Sequence, residues 1–142
     1  MDKTRKAVIY IGIKENDYFK LFEEKEKMKH HLELFNINIE NIYTDVMIDN
    51  NTLNRPGFNE MIKDIKDNKI ETIYVKDLSM LIDKPTMLIK FYDQVLKKNK
   101  VDLILVNDDI DFKAHISFLK VFKEMERGDR RARKEKLAKY SR

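Results

Sequence analysis

The chain has 142 residues, 42% of them apolar and 38% charged, which is enough apolar material for one core of ordinary size. It has no cysteine, which excludes disulfides and thiolate metal centres. The net charge of +4 is uneven: residues 127–142 hold eight basic and two acidic side chains, net +6, and the remainder is net −2. That asymmetry fits a nucleic-acid contact, or a solvated charged helix end.

Residues 1–6 run directly into a short apolar segment, without a small-residue cleavage site. The segment is too short for a secretory leader or a membrane span, so a cytoplasmic protein with no membrane contact is expected. Residues 7–13, Ala-Val-Ile-Tyr-Ile-Gly-Ile, read as a buried strand. Residues 18–35 carry Phe19, Phe22, Met28, Leu32 and Phe35 at near-helical spacing and predict a helix that Asn36 ends. A second strand follows over residues 39–45, then a polar loop over 46–53, expected to be mobile. Pro56 suits the first turn of a helix, with Asn54 as its cap and Phe58, Met61, Ile62 and Ile65 on its buried face.

The third strand is expected over residues 72–75. A helix opened by Pro85 comes next, with Met87, Leu88, Phe91, Val95 and Leu96 inward, then a fourth strand over 101–106. Alternating strands and helices predict an α/β sandwich with a mostly parallel sheet of four or five strands. Sites in such sheets gather outside the carboxyl ends of the strands. Residues 114–139 predict a long helix with Ile116, Leu119, Phe122 and Met125 as one apolar stripe. Beyond Arg127 the helical composition continues without a core face. The chain therefore divides into an α/β domain, residues 1–113, and a long basic helix, residues 114–142, with no separate DNA-reading domain.

Two blocks stand out, Asn54-Arg55-Pro56-Gly57-Phe58 and Val75-Lys76-Asp77-Leu78-Ser79. With Ala7-Val8-Ile9-Tyr10, Asp45 and Val106-Asn107-Asp108, in this order, they resemble the catalytic-domain signature of the serine recombinases, the resolvase and invertase family. The resemblance covers about residues 6–111 and continues weakly into the long helix. It implies a resolvase-like sandwich, a role in site-specific DNA recombination, and a serine nucleophile among arginines that neutralise phosphate.

The departures are as clear as the match. Gly12 stands where the family has its first arginine, and Lys14 where it has the nucleophilic serine. Glu24 replaces a helix glutamine, and Asp49-Asn50 replaces a Ser-Gly pair. Met80 and Ile82-Asp83-Lys84 stand where further arginines belong. Arg55 and Ser79 are the matching catalytic positions. Phosphodiester displacement needs an activated hydroxyl and cations around the phosphate, and arginine suits that charge better than lysine. A protonated Lys14 binds phosphate but is a poor nucleophile. The resemblance thus implies a domain that is catalytically inactive, kept as a regulator or left as a mobile-element remnant.

The partners expected are DNA, held weakly and without sequence preference by Arg127, Arg130, Arg131, Arg133 and Lys134, and a second copy or an active recombinase. No cofactor or metal is expected. His30-His31 lacks a carboxylate at ligand spacing, and the acids Asp108, Asp109 and Asp111 read as a strand-end turn rather than a cation site. Two alternatives stay open at this point: a truncated catalytic domain of an active recombinase, and an unrelated α/β interaction or signalling domain.

Overall fold

The computed structural model describes residues 6–49, 55–82, 84–108 and 111–140, with residues 129–140 as helical backbone only. The elements run β1 (Lys6–Gly12), α1 (Tyr18–Glu33), β2 (Ile39–Asp45), α2 (Pro56–Lys66), β3 (Ile70–Val75), α3 (Pro85–Phe91), β4 (Asp102–Leu105) and α4 (Phe112–Tyr140). A 3₁₀ turn, Leu78–Met80, follows β3, and a π-helical turn, Tyr92–Leu96, extends α3. The four strands form one sheet in the order β2-β1-β3-β4, and every pairing is parallel. This is the α/β sandwich that the alternating sequence predicts. Right-handed crossovers place α1 on one face of the sheet and α2 and α3 on the other.

The apolar runs of β1 and β3 supply the centre of the core. Val8, Ile9, Tyr10 and Ile11 are buried, as are Ile73 and Val75. Helix α2 lays Phe58, Met61 and Ile65 on the sheet, with Ile62 half-buried at the margin. α1 ends at Glu33, somewhat before the expected stop, and Asn36 in the turn that follows adopts a left-handed φ of 59°, which Asn tolerates better than most residues.

Four local expectations are corrected. Of the apolar residues expected on this helix only Met28 and Leu32 are buried; Phe19 and Phe22, and Phe35 past the end of α1, face solvent. The stretch after β2 is anchored where it is described. Ile48 is buried, and its N–H donates to the Ile13 carbonyl at 3.0 Å. Residues 50–53 and the expected cap Asn54 lie outside the described residues; Arg55 occupies the cap position of α2 and makes no side-chain capping bond.

The fourth correction concerns α4, which carries two apolar stripes rather than one. Phe112, Ile116 and Leu119 turn to the core. Phe118, Val121, Phe122 and Met125 are exposed on another side. The sequence spacing of Ile116, Leu119, Phe122 and Met125 merges members of both.

Candidate functional site

The carboxyl ends of β1 and β2 meet the start of α2 around one buried carboxylate. Asp45, the last residue of β2, accepts three hydrogen bonds: from the Tyr10 hydroxyl at 2.8 Å, the Gly57 N–H at 2.8 Å and the Phe58 N–H at 2.9 Å. Two of these donors are the free N–H groups of the first turn of α2, so Asp45 caps that helix from twelve residues away in sequence. Burial, and then the Asp45 charge, push the Tyr10 hydroxyl well above the usual phenol range, so it stays protonated as a donor. The chain must pass close here. A Cβ on Gly57 would sit 2.3 Å from the Thr44 carbonyl oxygen, a distance no side chain tolerates.

Arg55 lies beside this hub and is buried, with 2% exposure. Its guanidinium donates to the Met80 carbonyl oxygen at 3.1 Å and sits 5.9 Å from the centre of the Phe58 ring. Its Nε is buried without a partner among the described residues. The cation is therefore turned inward, bridging the start of α2 to the turn after β3.

Gly12, at the end of β1, is enclosed by the same groups. A Cβ there would approach the Tyr10 hydroxyl at 2.9 Å, the Met80 carbonyl oxygen at 3.1 Å and the Ile48 Cδ1 at 3.2 Å. Lys14, two residues on, is exposed, and no hydrogen bond or ion pair among the described residues joins it to Arg55 or Ser79. Ser79 is exposed in the 3₁₀ turn. Its hydroxyl and its N–H both donate to the Asp77 carboxylate, the N–H at 2.9 Å, so the side chain is engaged in capping its own turn. Glu24 reaches from α1 to Lys76 at 3.1 Å, a half-buried pair at the carboxyl end of β3.

The structure thus joins Arg55 to the turn that bears Ser79, through the Met80 carbonyl, and leaves Lys14 apart. Of the basic residues assigned to DNA, Arg127 is exposed and pairs with Glu124 at 3.2 Å. Arg130, Arg131, Arg133 and Lys134 follow on the helical backbone of α4, their side chains outside the described residues. Asp111 caps α4, accepting from the Ala114 N–H at 3.0 Å, while Asp109 and Asp83 lie outside the described residues. Among the described residues no group of three or more histidines and acids is placed to hold a metal ion, and no helix is long and apolar enough to cross a membrane. Sequence reasoning missed two things here. The capping role of Asp45 has no local signature, and the exposed Phe118 and Val121 were passed over for a single stripe.

A family model described as the resolvase N-terminal domain matches residues 15–142, nearly the whole chain. The chain belongs to the resolvase family. This resolvase-family domain is similar in fold to the N-terminal catalytic domain of TP901-1 integrase, with a TM-score of 0.76 and 24% identity over 87% of this chain and 98% of that one. A resolvase family site-specific recombinase from Streptococcus pneumoniae follows, with a TM-score of 0.66 and 24% identity over 94% and 95% of the two chains. A serine recombinase from Sulfolobus solfataricus matches with a TM-score of 0.60 and 18% identity over 95% of each. No curated protein sequence matches the chain. The domain is therefore serine-recombinase-like and related to site-specific recombination, and an unrelated signalling module is set aside.

Proposed function

We propose that this resolvase-family domain no longer cuts DNA and acts as a DNA-contacting, self-associating or recombinase-associating element. One observation carries the reading: Arg55, the matching catalytic arginine, is buried, and its guanidinium donates inward to the Met80 carbonyl. The space around Gly12, where the resemblance calls for another arginine, is filled by Tyr10, Ile48 and Met80. At the nucleophile position stands Lys14, and Ser79 is held by Asp77. Among the described residues a phosphodiester at this site would meet no free hydroxyl beside a cluster of cations, which is what its displacement requires. Supercoiled plasmid mixed with the protein is expected to remain supercoiled; relaxation or a covalent adduct would defeat the proposal.

The rest of the reading assigns α4 two tasks. Ala114, Phe118, Val121 and Met125 recur at four- and three-residue steps, the spacing of a helix–helix seam, and all are exposed. This stripe docks on another resolvase-like chain, in the first instance a second copy. The basic residues after it, Arg127, Arg130, Arg131, Arg133 and Lys134, contact phosphates without reading sequence. Sedimentation of the full chain is expected to give the mass of two copies, falling to one with Phe118→Glu and Met125→Glu. Replacing the five basic residues by Gln is expected to lower the slope of log K against log salt by about 4.5 if each meets one phosphate, at about 0.9 per contact. An unchanged slope would remove α4 from the DNA contact.

A further inference from the structure

Helix α1 presents a second surface that the recombinase-like role does not use. Tyr18, Phe22, Lys25 and Lys29 fall at steps of four, three and four residues, and so lie on one side of the helix. Tyr18 is 69% exposed and Phe22 57% exposed. Lys25 and Lys29 line a cavity of about 410 Å³ between α1 and the edge strand β2, together with Asn38 and Asn41. Neither lysine forms an ion pair among the described residues. Of the two acids in the same cavity, Glu40 is engaged by Lys6 at 3.9 Å and by the Asn38 amide at 3.3 Å, and Glu33 lies at the carboxyl end of α1.

Two exposed rings followed along one helix side by two unpaired cations and two amides match the chemistry of a single-stranded nucleic acid. Ring faces stack on unpaired bases, ammonium groups follow the phosphates, and such binding tolerates any sequence. Duplex DNA hides its base faces and gives the rings nothing to stack on. From Tyr18 to Lys29 the helix rises about 16 Å, room for a few nucleotides of an unpaired strand. We infer that the α1–β2 groove binds single-stranded nucleic acid, with Tyr18 and Phe22 stacking on bases and Lys25 and Lys29 holding the backbone. The site is separate from α4, so a domain holding duplex there could also hold an unpaired strand.

The test uses the full chain and a fluorescent dT20 oligonucleotide, with a duplex of the same length and a polyglutamate peptide as comparisons. The α1 variants change exposed or half-exposed side chains, and circular dichroism and thermal melting check that every variant folds. Tyr18→Ala with Phe22→Ala is expected to weaken dT20 binding by ten- to a hundredfold and to leave duplex binding unchanged. Lys25→Gln with Lys29→Gln is expected to weaken it further and to flatten its salt dependence. The basic replacements in α4 are expected to affect duplex more than dT20. Retention of dT20 affinity by the ring variant would overturn the inference. So would polyglutamate binding of equal strength that depends on the lysines and not on the rings, since that would mean an acidic protein segment.

Discussion

Gly12→Arg restores the family's residue type at the end of β1, and it is expected to destabilise the domain by about 3–5 kcal/mol without producing cleavage. Even the first added carbon meets the Tyr10 hydroxyl at 2.9 Å and the Met80 carbonyl at 3.1 Å. Overpacking of a closed site costs roughly 1–3 kcal/mol. A second buried cation beside Arg55, with no carboxylate among the described residues shown to pair with Arg55, adds several more. Asp45 already takes three donors on its two oxygens and has at most about one acceptor site left for a new cation. Urea denaturation of the variant and its parent measures the effect. A variant as stable as its parent would mean that the site opens readily, and would weaken the argument that it has closed.

Asp45→Ala is expected to cost about 3–5 kcal/mol, in the range reserved for loss of a buried network. The substitution leaves the Tyr10 hydroxyl and the Gly57 and Phe58 N–H groups without their acceptor, and Tyr10 and Phe58 are fully buried. It also removes negative charge from the N-terminus of α2, where the helix favours it. Asp45→Asn keeps one acceptor oxygen and is expected to lose roughly half as much. A loss below about 1 kcal/mol for Asp45→Ala, against the net worth of even one such bond, would show that Asp45 is not the hub of this junction.

The fold was legible because its signals are local. The apolar run of residues 7–13 could only be a buried strand, and Pro56 and Pro85 both open helices where expected. Strand–helix alternation then dictated parallel pairing. Helix faces were less legible. The phenylalanines of residues 18–35 have near-helical spacing, yet Phe19, Phe22 and Phe35 are exposed, because one helix meets the sheet along only a narrow stripe. In α4, steps of three residues drift around a helix whose turn is 3.6 residues, so Ile116 starts in the core and Met125 ends in solvent.

The site was legible as a set of names and not as an arrangement. The blocks around Arg55 and Ser79 marked the family, and the family match bears that out. Nothing in them says that Arg55 turns inward, since its partner Met80 lies 25 residues away and offers only a backbone oxygen. Asp45 is hidden for the same reason: a cap that acts across a loop leaves no capping pattern in the sequence. Lys14 lies exposed two residues past the end of β1, apart from Arg55 and Ser79.

The most direct test of the central claim is a search for a covalent protein–DNA link. Purified protein is incubated with supercoiled plasmid, quenched with denaturant, and examined for DNA-linked protein and relaxed plasmid. A non-cleaving domain leaves the plasmid supercoiled and every chain free of DNA, and Lys14→Ser alone is expected not to change that, because Gly12 and Met80 still stand where the resemblance calls for arginines. A covalent adduct formed by the parent chain and abolished by Ser79→Ala would contradict the account and make Ser79 the nucleophile of an active recombinase.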